Sequence, residues 1–451
     1  MANTHSAIRL PNEILSMILS HLSKSDLKKV RLVCKLWSEM AIPTLYERVY
    51  VSPHSQDLEV FNSIVSEKHL SKFVKELVYD ASYFDMGMPK SVYISRLLCQ
   101  TREFTAELDE ETVFDGPDHH VNSFLKFSQN LAANLYPAIF TYRFVHQGYS
   151  RYCELAEEQE DLFDNGQFLV ELCQGLRSLP KLHRVTIHDE WQRDDQYRQR
   201  ALLDPVALRP LRPFSSPLAR GWNPLFLEPS PWNPNGLRIP QGDPSHKQCQ
   251  AMIRALSLSK SCISDLSICP RSHRGISSYF FDSNNSTCLG ASMSNHSINV
   301  FSGLKTLDLT ITSTWDKFIS GFGKVALPNL TKLLASTHRL VNLTLTFLKF
   351  DFHDEPEVFD LRDLLGPLDE CSWDLRYLHL SGFAAAQSDL HDFLKRQHNV
   401  QYLILADFEL RDGDWATMLD KVKALALPLD MFGLYRPLGH LGHLRRVDLV
   451  R

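Results

Sequence analysis

Five side chains of the kind that bind zinc, His246, Cys249, Cys262, Cys269 and His273, fall between positions 246 and 273, and tetrahedral zinc takes four such ligands. Structural zinc sites use short paired spacings, and these match no standard finger. Cys262 and Cys269 also flank an apolar run, Ile263, Leu266 and Ile268, where cysteine is a common small buried residue. No metal is therefore expected. His119 and His120 beside Asp118 follow Gly116 and Pro117 and read as an exposed loop. The chain has no glycine-rich phosphate loop ending in Lys-Ser/Thr, no Gly-x-Ser-x-Gly elbow, no His-Glu-x-x-His and no Cys-x-x-Cys. No catalytic residue and no cofactor is assigned. The expectation is a protein that is not an enzyme; the remaining alternative is a C-terminal enzyme whose site is assembled from dispersed residues.

The elements that would position any function belong to a chain of 451 residues with net charge −5. That length calls for several domains or a quasi-linear repeat array, and that charge gives no footprint for nucleic acid or an anionic membrane. Nine cysteines without paired spacing suit reduced thiols. No apolar run approaches the ~20 residues of a membrane span, and Arg9, Asn12 and Glu13 interrupt the only early apolar stretch, so no signal peptide is expected. The protein is expected to be intracellular, cytoplasmic or nuclear.

One spacing recurs: an apolar residue, another three on, another two further. It occurs at Val74/Leu77/Tyr79, Leu182/Val185/Ile187, Ile263/Leu266/Ile268, Leu304/Leu307/Leu309, Leu340/Leu343/Leu345, Leu375/Leu378/Leu380, Val400/Leu403/Leu405 and Leu444/Val447/Leu449. Near the C-terminus LRYLHLSGF precedes the helical pattern SDLHDFLKRQ, and VQYLILADF precedes DWATMLDKVKAL. Strand followed by helix at a repeating interval signals a repeat architecture; an ordinary α/β domain with similar strands is the alternative. Leu45–Val51 predicts a short strand, Ser55 caps a helix through Val65, and Val121–Leu135 and Gln167–Leu176 show helical stripes. Arg151–Asp161 reads as a solvated helix face. Pro205–Pro244 holds ten of the 23 prolines and Trp222 and Trp232, which fits a long loop or insertion. Ser272–Asn299 is a second polar excursion.

The stretch Leu10–Tyr46 carries the most specific pattern. Leu10, Ile14, Leu15, Ile18, Leu19 and Leu22 recur at helical spacing, with Pro11 just inside the start. Ser25 and Asp26 read as a cap and first-turn acid for a second helix through Leu27, Val30, Leu32, Val33, Leu36, Trp37 and Met40, ended by Pro43. The order Leu-Pro-x-Glu-Ile-Leu, Asp-Leu and Val-Cys-Lys-x-Trp resembles the F-box, with Ala41 one place late and Lys28-Lys29 where many F-boxes place an apolar residue. The repeats behind it resemble the irregular leucine-rich repeats found after F-boxes.

The resemblance implies an α/β chain: an F-box at 1–46, first strands and helices of the array at 47–204, a Pro-rich loop at 205–245, and a leucine-rich-repeat-like C-terminal array of short parallel strands at 246–451. It implies a substrate-recognition subunit of an SCF-type cullin–RING ubiquitin ligase, docking on the Skp adaptor through Leu10, Pro11, Leu15, Ile18, Val33, Cys34 and Trp37 and holding an unknown substrate protein on the array. An adaptor-bound protein that never recruits a cullin is the alternative. Strand alternation sends the residues between the leucines onto the opposite, inner face. There, Arg184, His188, Asp308, Thr344, Tyr377, His379, Tyr402, Arg446 and Asp448 are the candidate substrate-binding residues, beside Thr186, Thr310, Thr346, Ser381 and an exposed Ile404.

Overall fold

The computed structural model describes residues 11–22, 24–81, 84, 86–93, 142–188, 244–268, 276–277, 298–312, 327–348, 359–365, 373–435 and 446–450. Residues 205–243 of the 205–245 stretch, the 121–135 stripe, the 118–120 loop and most of 272–299 lie outside them.

The N-terminal region is three helices rather than two: α1 (Asn12–His21), α2 (Lys24–Val30) and α3 (Lys35–Tyr46). Pro11 stands at the N-cap of α1, and Cys34, with extended backbone, is the N-cap of α3. The expected second helix breaks at Arg31–Cys34 because its apolar residues do not share one face: Leu27 is buried while Leu32 and Val33 point to solvent. Pro43 lies inside α3 and does not end it. Ala41 and Leu45 on either side of it pack with Leu19 and Leu27 in the small core of this region, and that packing holds the last turn despite the backbone N–H that proline lacks.

α3 gives way to β1 (Arg48–Val51) across a single residue, Glu47. From β1 the chain lays down β2 (Glu76–Asp80), β3 (Arg184–His188), β4 (Asp265–Ile268), β5 (Ile276–Ser277), β6 (Thr306–Thr312), β7 (Asn342–Leu348), β8 (Phe359–Asp360), β9 (Tyr377–Ser381), β10 (Phe383–Ala385), β11 (Tyr402–Ala406), β12 (Glu409–Leu410), β13 (Met431–Tyr435) and β14 (Arg446–Val450). The main sheet is open and runs β1-β2-β3-β4-β6-β7-β9-β11-β13-β14, with β5 added beside β6. Strand order follows chain order without reversal. All pairings are parallel except β13 with β14. The last triad therefore sits on an antiparallel closing strand, and the expected parallel unit there is corrected.

One hydrogen-bond motif joins the parallel strands. The carbonyl just before each strand accepts two successive N–H groups at the start of the next: Glu47 from Lys75 and Glu76, Lys75 from His183 and Arg184, His183 from Ser264 and Asp265, and likewise at Ser264, Lys305, Val341, Arg376 and Gln401. The recurring triads supply the other half of the register. Leu77, Val185, Leu266, Leu307, Leu343, Leu378 and Leu403 pair in one continuous row. They are buried in one apolar cluster with helices α4 (Ser55–Ser66), α7 (Gln167–Arg177) and α8 (Pro244–Ser259), and with α11 (Gln387–Arg396) and α12 (Trp415–Ala424). Continuous burial of this kind drives the fold, about 25 cal/mol per Å² of apolar surface removed from water.

Two strands with the same spacing fall outside the triads found by sequence: Tyr46/Val49/Val51 on β1 and Leu429/Phe432/Leu434 on β13. Towards the C-terminus the core holds an aromatic chain. Phe347 stacks on Phe359 at 4.4 Å and meets Phe383 edge-on at 4.9 Å; Phe408 lies between Phe383 and Trp415. Just before Phe383 and Phe408 the chain turns through left-handed residues, Gly382 at φ 82° and Asp407 at φ 47°. β8, β10 and β12 form a second, three-stranded parallel sheet beyond these turns.

Candidate functional site

Two surfaces carry the residues singled out by sequence. The first is the helical N-terminus. Its core of Leu19, Leu27, Ala41 and Leu45 is packed by Leu22, Val30, Trp37, Met40 and Tyr46, and the Arg31 guanidinium lies over the Tyr46 ring, 5.9 Å from its centroid. A core this small leaves apolar side chains over: Ile14 is 42% exposed, Met17 61%, Leu32 86% and Val33 68%, with Ile18 and Leu36 also in water. Exposed apolar clusters of this size mark contact surfaces.

Of the seven expected adaptor-binding residues, Leu10 lies outside the described residues. Pro11, Ile18, Val33 and Cys34 are exposed. Trp37 is half-buried against the helical core, and Leu15 is 3% exposed, so Leu15 is not among the exposed apolar residues. Sequence reasoning missed Ile14, Met17, Leu32 and Leu36 as surface residues. The signal was present. α1 carries one apolar stripe at Leu15, Leu19 and Leu22 and another at Ile14, Met17 and Ile18, whereas a helix on a single small core needs only one.

The second surface is the sheet face turned away from the helices. Its first row, in register, is Arg48, Glu76, Arg184, Asp265, Thr306, Asn342, Tyr377, Tyr402 and Met431. The charged end neutralises itself. Arg48 Nε donates to Glu76 at 2.6 Å with both side chains largely buried, and Arg184 stands 3.9 Å from Asp265. Burial alone would lower the Arg48 pKa, but Glu76 and Tyr50 raise it beyond its ordinary value. Further along, the Asn342 side-chain amide donates to Thr306 Oγ1 at 3.2 Å. The row then becomes aromatic: the Tyr377 and Tyr402 rings lie 6.3 Å apart, and Tyr402 is 38% exposed.

In the second row, Asp308 accepts a hydrogen bond from Ser267 Oγ at 3.3 Å, and Thr344 and His379 are half-buried. Ile404, expected in solvent, is 1% exposed. Its neighbour in register is Gly433, and the Tyr435 ring occupies the space a side chain there would take, 2.6 Å from a Cβ built on Gly433. Thr186, Thr310, Thr346 and Ser381 share that face by alternation but are likewise buried, so their side chains are not accessible on it. His188 pairs by backbone with Asp80, Arg446 with Tyr435, and Asp448 with Gly433. The structure thus brings together Tyr377, His379, Tyr402, Thr344 and Asp308 on neighbouring strands, while Arg184 belongs to the self-neutralised end.

The zinc-ligand types do not converge among the described residues, where no group of three His, Cys, Asp or Glu could hold a metal ion. Cys249 is buried on α8, which pushes its thiol pKa up, while Cys262 is exposed; Cys269 and His273 lie outside the described residues. The acidic stretch on α6 (Tyr142–Asp164) is more than a solvated face. Glu158 accepts the Ser55 N–H at 2.8 Å, which steadies the start of α4, and stands 3.7 Å from His54. Burial would raise the Glu158 pKa, but hydrogen bonds from Ser55, with His54 and Arg151 nearby, hold it below the ordinary carboxylate value. No helix among the described residues is long and apolar enough to cross a membrane.

Residues 7–52 match the family model for F-box-like domains, a span that covers α1 to α3 and runs through β1. Among curated proteins, none is similar enough to the chain to count as a match.

Proposed function

We propose that this protein is the substrate-recognition subunit of an SCF-type cullin–RING ubiquitin ligase: the F-box-like helices bind the Skp adaptor, and a leucine-rich-repeat-like solenoid behind them holds a substrate protein. The observation that carries the reading is the set of exposed apolar residues on helices that pass into the first strand of a long open sheet through one residue. An adaptor interface would cover Ile14, Met17, Ile18, Leu32, Val33 and Leu36, with Pro11 at its edge. Strands in chain order, each begun by the same paired hydrogen bond, support a solenoid over a doubly wound sheet, whose strand order reverses at a switch point.

Such a receptor catalyses nothing itself; it raises the local concentration of a substrate lysine near ubiquitin carried by another subunit. The substrate face would be the open face around Tyr377, His379 and Tyr402, since aromatic residues dominate binding energetics. The test is co-purification from cells of adaptor and cullin with the wild-type chain, with Leu10→Ala/Pro11→Ala and with Leu32→Asp/Val33→Asp. Both variants are expected to lose adaptor and cullin while keeping the wild-type circular dichroism. Full recovery of adaptor by both variants refutes the docking surface. Adaptor without cullin in the wild type refutes the ligase.

A further inference from the structure

The turns that lead into the strands carry a charge pattern that the function above does not use. Lys181, Lys260, Lys305, Arg339 and Arg376 are all exposed, one in the turn before each of β3, β4, β6, β7 and β9, which are consecutive neighbours in the sheet. None of their charged groups takes part in a hydrogen bond or ion pair among the described residues, unlike Lys75 in the turn before β2, which pairs with Glu47 at 3.1 Å. The one acid among these turns, Asp374, accepts a hydrogen bond from the Asn399 amide at 2.6 Å and keeps its charge. A chain of net charge −5 thus presents five cations against one carboxylate in the turns at the start of five neighbouring strands, whose ends at about 4.8 Å separation span about 19 Å.

We infer that this edge is a docking rail for an extended, Asp/Glu-rich segment of a partner protein, laid across the strand starts. About six residues of extended chain cross the five strand starts. A short segment feels the local charges within the ~8–10 Å screening distance, whereas a long nucleic acid or an anionic bilayer also meets the net negative charge of the whole molecule. Among these turns no exposed aromatic side chain is present to stack bases, which single-stranded nucleic-acid sites combine with their cations. This rests on the proposed function and deepens it: the substrate held on the face bearing Tyr402 would also carry an acidic segment that reaches the neighbouring strand starts.

The test uses the full chain bound to its adaptor and a fluorescein-labelled peptide of alternating Glu and Ser, followed by anisotropy at rising salt. Binding is expected, weakening as salt rises. Lys181→Glu/Lys305→Glu/Arg376→Glu is expected to weaken it at least about tenfold, since three attractions become repulsions. Lys395→Glu, which reverses an exposed cation on α11, is expected to leave it unchanged. Absence of peptide binding, equal binding by the triple variant, or tighter binding of a poly-dT oligonucleotide of equal charge overturns the inference. Adaptor capture is read on the same samples: its loss with peptide binding kept sinks the F-box reading alone, and its retention with peptide binding lost to wild type sinks the rail alone.

Discussion

Gly382 separates two contributions that usually act together. It holds φ 82° between β9 and β10, and its N–H donates to the Ala406 carbonyl at 3.0 Å. A Cβ added there would overlap the Phe347 carbonyl oxygen and approach its carbonyl carbon to 2.9 Å. Both atoms are backbone of β7, so no rotamer change relieves the contact. Gly382→Ala therefore combines left-handed strain of about 1–2 kcal/mol with overpacking of about 1–3 kcal/mol, for about 2–5 kcal/mol in all. Gly166 is the control. It has φ 70° with nothing within 4 Å of a built Cβ, so Gly166→Ala should cost only the strain, about 1–2 kcal/mol. Urea unfolding of the full chain, followed through Trp373 and Trp415 fluorescence, measures both. Equal shifts of the midpoint for the two variants would refute the close approach of β7 to the turn.

Other perturbations test separate parts of the structure. Phe383→Ala, at the centre of the aromatic chain, should cost about 3–5 kcal/mol in the same urea assay. Leu15→Ala should destabilise the helical N-terminus by about 2–5 kcal/mol, whereas Leu32→Ala, fully in solvent, should leave its melting unchanged and weaken only adaptor binding measured by calorimetry. The His54 pKa is lowered: burial lowers it, Glu158 raises it less, and Arg151 lowers it further. Because its folded pKa lies below 6.5, the unfolded chain binds the extra proton, so stability should fall as pH drops below 6.5 and be complete above it. His54→Gln should flatten that slope in urea titrations run across pH 5 to 7.

The strands were legible because burial on one sheet face imposes a spacing that no helix shares, and every recurring triad lies at a strand. β13 escaped because Phe432 and Gly433 replace the aliphatic pattern, and β1 because Tyr46 opens its triad from within α3. Direction was not legible. Leu444/Val447/Leu449 shows the same spacing on antiparallel β14, since alternation reports faces and not chain polarity. In the F-box-like region the residue types were readable but their sides were not separated: α1 carries two apolar stripes, and Leu15, which is buried, was grouped with Ile18, which is exposed. Ile404 was misplaced for a related reason, the covering ring of Tyr435 coming from the next strand over a glycine. The edge cations have no sequence pattern of their own; only the sheet order brings their turns to neighbouring strand starts.

Glu47 has a mechanical consequence. It is both the residue after α3 and the first acceptor of the hydrogen-bond ladder, so the N-terminal helices pass into the sheet through one hydrogen-bonded residue in place of a tether. If the sheet carries a substrate as proposed, that substrate follows the orientation of the helices. A flexible Gly-Ser insertion beside Glu47 is then expected to leave each binding event intact yet spread the substrate over a wide arc, so that transfer to its lysine slows without any loss of affinity.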